Sequence, residues 1–174
     1  MKITNKFGMP KPFVDFARND KYSKGKADIS VTTLIDSPRV RIMKEQYHDK
    51  IEVDAVDMIW ALFGTAVHSV LESSEQSENS ITEERLYSEI DGWLLSGAVD
   101  RQEINKNNIS IIDYKVTSVW SVIYGKPEWE KQLNCYAYLV DDKHAFSKSN
   151  VTSLKICAIL RDWNKRDSER KENY

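Results

Sequence analysis

Cysteine is scarce in this sequence of 174 residues, and its scarcity excludes several classes of protein. The two cysteines, Cys135 and Cys157, are too few for a disulfide framework or for a metal site built from four cysteines. Each lies among apolar residues, so we expect both to be reduced side chains in a core. The pattern is typical of a protein from a reducing cytoplasm.

Long hydrophobic runs are also absent. No run approaches the roughly 18 apolar residues that a membrane span requires, and the first stretch, MKITNKFGMPKPF, lacks the apolar centre of an export signal. We therefore expect no export and no membrane partner. Hydrophobic residues make up 41% of the chain and charged residues 30%, which is typical of a soluble globular domain with a proper core.

The sequence also lacks a large net charge. Its formal charge of −2 argues against a general binder of polyanions. The charges are nevertheless uneven: residues 1–26 carry seven Lys or Arg, and residues 72–91 carry seven acids. Either both segments are solvated surface, or the basic one follows a phosphate backbone. Because residues 1–29 have little periodicity, we predict a loose basic arm there, a single domain over 30–162, and a charged, irregular tail over 163–174.

The hydrophobic pattern predicts an α/β fold. A helix is expected from Asp54 to about Ser74, where apolar residues recur every three or four positions. Three strands follow in RLYSEI, WLLSGAVD and ISIIDYKV, then a helix in EWEKQLNCYAYLV and a strand in VTSLKICAIL. Upstream, Ser30 or Thr32 is predicted to cap a short helix that Pro38 breaks or restarts. Strands joined by short turns form an antiparallel meander, so we expect helices packed around one sheet.

Two carboxylates and an ammonium group lie close together in the predicted strands. Asp113 and Lys115 are two residues apart and share one face of a strand, and a hairpin partner can bring Asp100 beside Asp113. A salt-bridged hairpin would account for the Asp113–Lys115 pair alone. Two adjacent carboxylates repel each other, however, and a hard cation such as Mg²⁺ removes that penalty while a nearby lysine orients a water.

The predicted helices add polar side chains at helical spacing. Gly64, His68 and Glu72 recur every four residues on one stripe, where Gly64 would allow a close approach and the other two could face the carboxylates. On the later helix, Gln132 and Tyr136 share a face, and both side chains can hydrogen-bond phosphate oxygens.

These motifs resemble a known family. GTAVHSVLE, LSGAVDR, IIDYK and QLNCYAY, in that order, are similar to the patterns G-x-x-x-H-x-x-x-E, G-x-x-D-R, D-x-K and Q-x-x-x-Y of the RecB-type branch of the PD-(D/E)XK nuclease superfamily. SVTTLIDSPR likewise resembles that family's earlier S-x-T-x-L-x-x-x-P-R stretch. The matches cover residues 30 to 140. The resemblance implies a PD-(D/E)XK nuclease core of order αβββαβ, with a mixed central sheet flanked by helices, in the domain over residues 30–162.

The resemblance also implies roles for individual residues. Asp100 and Asp113 would be catalytic metal ligands, together with the backbone carbonyl of Tyr114. His68 would be the metal ligand that this branch supplies from its first core helix. Lys115 would assist the attacking water.

Further residues follow from the same resemblance. Gln132, Tyr136 and Arg101 would hold the substrate. The family's additional acidic ligand has several candidates in this chain, and we prefer Glu72 because it completes the H-x-x-x-E pattern. The competing residues are Glu72, Glu83, Glu84 and Glu89.

The function implied is that of a deoxyribonuclease that uses one or two Mg²⁺ or Mn²⁺ ions to hydrolyse phosphodiester bonds by metal-activated water. Exonuclease action on the ends of single- or double-stranded DNA is expected. The alternatives are a structure-specific or nicking endonuclease and a catalytically silent DNA-binding accessory protein. The oligomeric state stays open.

Departures from the family pattern limit the cofactors. Ser37 stands where iron–sulfur members have a cysteine, so no iron–sulfur cluster is expected, and no Walker A stretch for ATP is present. The small size and the segment RDWNKRD resemble stand-alone phage nucleases, which implies the cytoplasm of a bacterium or of a phage-infected host.

Five tryptophans complete the sequence features. Trp60, Trp93 and Trp163 are predicted to pack in the core. Trp120 and Trp129 flank the motif-bearing strand and helix, where they either pack or contact nucleic-acid bases.

Overall fold

The computed structural model describes residues 1–19, 25–73 and 79–170, with Glu72 described by its backbone alone. The strands are β1 (Lys2–Thr4), β2 (Ile29–Ser30), β3 (Glu52–Asp54), β4 (Ser80–Ile90), β5 (Trp93–Asn105), β6 (Asn108–Thr117) and β7 (Asn150–Leu160). The helices are α1 (Lys11–Arg18), α2 (Val31–Ile35), α3 (Pro38–Gln46), α4 (Ile59–Glu72), α5 (Val119–Ile123), α6 (Pro127–Lys143) and α7 (Lys165–Ser168). Short 3₁₀ helices cover His48–Lys50 and Ala55–Met58.

The main sheet is mixed and is built around β5. Strand β4 runs antiparallel along one edge of β5, while β2 and β6 share the other edge, β2 parallel and β6 antiparallel. Strand β7 adds to β6 in parallel. This arrangement confirms the predicted α/β class and the order of helix, three strands, helix and strand.

The two hairpins of the sheet have turn residues that suit them. Asp91 and Gly92 both have positive φ, 50° and 79°, as a two-residue type I′ turn requires between β4 and β5. Lys106, with φ of 56°, turns the chain between β5 and β6. Both connections are two residues long, so β4, β5 and β6 follow one another as the predicted meander.

The main core lies between the sheet and α6. Its fully buried side chains are aliphatic and include Val99, Ile109, Ile111, Leu139 and Val140. These branched residues come from central strands and from one face of a helix, so they interdigitate and exclude water. Ser30 caps α2 by accepting a hydrogen bond from the amide of Thr33, and a new helix, α3, begins at Pro38, both as predicted.

Some residues expected in the core lie outside it. Trp60, Trp93 and Trp163 are 49%, 58% and 51% exposed, because the aliphatic side chains fill the core and leave these rings at the rim. Cys157 is exposed. It lies on β7, which forms the edge of the main sheet beside β6, and its side chain is on a face of that strand that meets solvent. Cys135 is partly buried against the core, nearer to the prediction.

The prediction of a loose N-terminal arm was wrong for the described part of that segment. Strand β1 pairs in parallel with β3, and α1 buries Val14 and Ala17 against Ala55. The carboxylate of Asp54 accepts hydrogen bonds from the hydroxyl of Thr4 and from a neighbouring amide. The segment is ordered by contacts with residues about fifty positions away, which its own short pattern does not reveal.

The end of the described chain is also more regular than predicted. Asn164 caps α7 by accepting a hydrogen bond from the amide of Asp167, whereas an irregular tail was expected. Residues 171–174 of that tail lie outside the described residues. No helix in the described ranges has the length and apolar character needed to cross a bilayer.

Candidate metal centre

The candidate site lies where the main sheet divides. Strands β5 and β6 pair from Asn105 and Asn108 up to Arg101 and Ile112, and then separate. Beyond that point β5 takes β2 as its partner at Leu95 and Ser96, which leaves residues 97–100 between the two partners. The division leaves this edge of β5 unpaired with any described strand from Gly97 to Asp100.

Asp100 and Asp113 lie directly beyond the last paired residues of β5 and β6. Oδ2 of Asp100 accepts a hydrogen bond of 2.7 Å from the amide of Tyr114, so the carboxylate replaces the bond that a continued ladder would have made. The sequence prediction that a hairpin brings Asp100 beside Asp113 matches this placement. The predicted role of the Tyr114 carbonyl stays a prediction.

Both carboxyl groups are buried, Asp100 at 8% and Asp113 at 1% exposure. Burial, together with the neighbouring charge of Asp113, raises the pKa of Asp100 to about 6. Burial also raises the pKa of Asp113, against the effect of Lys115. Oδ1 of Asp113 is fully enclosed and accepts no hydrogen bond from any described residue. A buried acceptor left in this condition costs free energy that a cation would recover.

His68 and Glu83 complete the group with Asp100. Nδ1 of His68 lies 3.2 Å from Oε1 of Glu83 and 3.7 Å from Oδ1 of Asp100. The hydrogen bond to Glu83 raises the pKa of His68, while burial acts in the opposite direction. One ligand atom from each of the three residues lies within 4.8 Å of the other two, close enough to share one metal ion.

Glu83 is aimed at the site by an unusual backbone conformation. Its φ is 49°, although it is not a glycine and lies within β4. The bridges on either side join Thr82 to Arg101 and Glu84 to Val99, so Glu83 stands opposite Asp100 without a bridge of its own. Such a conformation costs about 1–3 kcal/mol and persists where the surroundings impose it, often at functional sites.

Glu83 is therefore the acid that the described structure places beside His68 and Asp100. Sequence reasoning counted it among four candidates but preferred Glu72, and nothing in the local sequence marks its left-handed backbone. The side chain of Glu72 lies outside the described part of the chain.

Lys115 extends from β6 on the same face as Asp113, as period-two spacing predicted. Its Nζ lies 2.7 Å from Oδ2 of Asp113, and 25% of the side chain is exposed. The Asp113–Lys115 ion pair is thus present, but it does not neutralise the site, since three carboxylates outnumber the two cationic side chains even when His68 is protonated. The remaining negative charge favours a bound cation.

A cleft of about 950 Å³ surrounds these residues. Helix α4 contributes His68 and Thr65, and α6 contributes Gln132 and Tyr136. Both α6 residues are buried, and Nε2 of Gln132 donates a hydrogen bond of 2.7 Å to the Tyr136 hydroxyl. The structure thus brings these two predicted substrate residues to the cleft, where each braces the other.

Two other predicted features have different outcomes. Arg101 donates from Nε to Glu103 at 3.1 Å and lines a small pocket together with Glu83 and Asp100, so its substrate contact stays a prediction. At Gly64, no described element outside α4 lies within 4 Å of the place a Cβ would occupy, so no described part of the protein makes the close approach that Gly64 would allow.

Several cleft residues were not anticipated from the sequence, among them an aromatic and a basic side chain. Phe16 of α1 forms part of one wall, and Arg85 of β4 lies on the floor, where Nη1 donates to the Ser96 hydroxyl at 3.4 Å. Neither belongs to a recognisable motif. The wall formed by α1 depends on the folding of the N-terminal segment.

Comparisons with known proteins bear on the fold. No protein-family model matches this sequence, and no curated protein matches it. Among solved structures, the chain is similar to the crystal structure of SSO0001, with 22% sequence identity, coverage of 90% of this chain and 74% of the other, and a TM-score of 0.56. At this level of identity the likeness shows the fold alone.

Proposed function

We propose that this chain is a metal-dependent deoxyribonuclease with a RecB-type PD-(D/E)XK core, acting as an exonuclease on DNA ends. The observation that carries the proposal is the convergence of five polar side chains from four separate elements in one cleft. These residues are His68 from α4, Glu83 from β4, Asp100 from β5, and Asp113 and Lys115 from β6. The order αβββαβ and the division of the sheet at this point support the same core.

The residues present suit a divalent cation. His68, Glu83 and Asp100 would hold the ion, and Asp113 would add a carboxylate oxygen that accepts no hydrogen bond from described residues. Carboxylate oxygens suit Mg²⁺, and the imidazole makes Mn²⁺ equally compatible. When bound, such an ion supplies Lewis-acid polarisation of a phosphoryl oxygen and lowers the pKa of water.

Two further side chains, Lys115 and Tyr136, would act on the water and on the substrate. Asp113 holds the ammonium group of Lys115 at 2.7 Å, at a position partly open to the cleft. From there Lys115 can donate a hydrogen bond to an attacking water or to the negative charge that develops on the phosphoryl group. Gln132 fixes the phenol of Tyr136 at the cleft wall, within reach of a sugar–phosphate backbone.

The test uses end-labelled linear and circular DNA, single- and double-stranded, with Mg²⁺, Mn²⁺ or EDTA. A Lys115→Ala variant is compared with Lys155→Ala, a matched change at an exposed lysine of the neighbouring strand. The proposal expects metal-dependent loss of linear DNA that Lys115→Ala abolishes and Lys155→Ala leaves intact.

Other results would replace the proposal. Cutting of circular DNA would indicate an endonuclease of the structure-specific or nicking kind. DNA binding without cleavage under any metal condition would indicate a silent binding protein.

A further inference from the structure

Two pairs of exposed aromatic rings lie outside the core and outside the cleft lining. Trp60 and Phe63, on the first turn of α4, have ring centroids 5.7 Å apart and planes inclined by 35°. Trp120 and Tyr124, at either end of α5, are stacked with centroids 5.9 Å apart and an angle of 17°. All four rings are between 46% and 80% exposed, so packing in a core does not account for them.

The end of β7 holds both pairs at one place in the fold. The guanidinium carbon of Arg161 lies 4.1 Å from the centroid of the Trp60 ring. The next residue, Asp162, accepts hydrogen bonds from the amide of Val119 at 2.8 Å and from the hydroxyl of Ser118 at 2.7 Å, which anchors the start of α5. Two consecutive residues, whose Cα atoms are about 3.8 Å apart, thus contact the Trp60 ring and the start of α5. We call Trp60, Phe63, Trp120 and Tyr124 the aromatic rim.

The aromatic rim is linked to the candidate metal centre through β6. The amide of Arg161 donates to the carbonyl of Thr117 at 3.0 Å, and Thr117 follows Lys115 by two residues on β6. At roughly 3.3 Å per strand residue, Thr117 lies about 7 Å along the strand from Lys115, and Trp120 follows three residues later. The rim is therefore close in sequence to the end of β6 that carries the site lysine.

The chemistry of the rim suits nucleic-acid bases. Exposed aromatic faces stack on any base, and a nearby guanidinium group attracts the phosphate that joins successive bases. Arg161 supplies that group at Trp60. Lys126, two residues after Tyr124, places its ammonium group 5.7 Å from the centroid of the Trp129 ring. The nearby carboxylate of Asp162 is turned toward the hydrogen-bond donors of α5.

We propose that the aromatic rim is a base-stacking subsite for single-stranded nucleic acid, which holds the strand beyond the point of cleavage. The proposal rests on the proposed nuclease function for the position of the strand relative to the point of cleavage. It concerns binding, however, and binding can be measured without cleavage. It predicts that recognition at the rim depends on the bases and not on the phosphates alone.

Binding is measured by fluorescence anisotropy in EDTA, in a Lys115→Ala background, with a labelled oligothymidylate and an abasic oligomer of equal length. The variants are Trp60→Ala and Trp120→Ala, each accompanied by the milder change to Phe. Trp93→Ala is the matched control, because Trp93 is 58% exposed but lies in the hairpin between β4 and β5. Circular dichroism verifies that each variant is folded.

Each alanine variant should weaken oligothymidylate binding roughly 5- to 150-fold, the range expected for one lost base stack. The Phe variants should lose less, Trp93→Ala should match the parent, and the abasic oligomer should bind all proteins equally weakly. Cleavage of a dinucleotide too short to reach the rim should be the same in Trp120→Ala and wild type.

The results separate failure of this proposal from failure of the nuclease proposal. If the rim variants bind like Trp93→Ala while wild type cleaves DNA, the rim is not a subsite and the nuclease stands. If they lose binding but wild type cleaves nothing, the subsite stands without the nuclease. If they change the sedimentation of the free protein and leave binding intact, the rim is a contact between copies of this chain and the proposal is overturned.

Discussion

Replacing Gly97 by alanine tests whether the close approach of α6 to β5 positions the cleft wall. A Cβ at Gly97 would lie 2.8 Å from Cδ1 of Leu139 and 2.8 Å from Cε1 of Tyr136. Leu139 is fully buried, and Tyr136 is held by the hydrogen bond from Gln132. Neither side chain can withdraw without moving α6 or breaking that bond.

The expected cost is that of overpacking a well-filled core, about 1–3 kcal/mol of unfolding free energy. For a chain of this length, each kcal/mol corresponds to roughly 2–4 °C in Tm, so Gly97→Ala should melt roughly 2–12 °C below wild type. Because displacement of Tyr136 disturbs the cleft, DNA cleavage should fall as well, even at temperatures where the variant is folded.

Gly64→Ala is the matched control. Its new Cβ would meet no described atom within 4 Å, and alanine is favoured over glycine inside a helix by roughly 0.5–1 kcal/mol. Thermal and urea unfolding of both variants, followed by circular dichroism, should therefore show opposite changes. A Gly97→Ala protein as stable as wild type would refute the packing of α6 described above.

Three further predictions concern carboxylates. In metal-free protein, Asp100→Asn should raise stability at pH 7 by about 2–3 kcal/mol, because burial raises the pKa of Asp100 to about 6 and ionising the group in place is costly. With metal present, the same variant should lose cleavage, because it removes a carboxylate from the candidate metal centre. The stabilising contribution of Asp100 is present below its ordinary pKa and lost as the pH rises through about 6, so calorimetry should show wild type losing stability there and the variant losing less. Glu83→Gln should weaken Mn²⁺ binding in titration calorimetry by roughly 10- to 100-fold, whereas Glu89→Gln, at an exposed acid of the same strand, should not. The hydrogen bond from the Lys6 amide lowers the pKa of Asp54, so its contribution is present above the ordinary value and lost as the pH falls; the Tm of Asp54→Asn should vary less in acid than that of wild type.

Much of the fold was accessible from the sequence because it depends on local periodicity. The apolar spacing that predicted α4, the alternation that predicted β4, and the apolar and β-branched runs that predicted β5 and β6 are all local features of the sequence. The same periodicity placed Asp113 and Lys115 on one face of β6. Residues of these elements could be assigned without knowing how the elements pack.

Features that depend on packing between distant elements were missed. The segment 1–19 is too short and irregular to reveal a strand and a helix, and it is ordered through β3 and Ala55. Trp60 and Trp93 are exposed because aliphatic side chains from other elements occupy the core. The sequence alone does not show whether the core has room for a large apolar ring.

The sequence by itself predicted the order of the elements, since this follows from periodicity along each helix or strand, and spacing together with the family resemblance gave most of the candidate site residues. Only the tertiary structure showed that Glu83 lies beside His68 and Asp100. This placement depends on a left-handed backbone at Glu83 and on its register opposite Asp100, which arise from pairing between strands. Local sequence carries no signal for such a conformation, because its cost is offset by contacts that exist only once the sheet has formed.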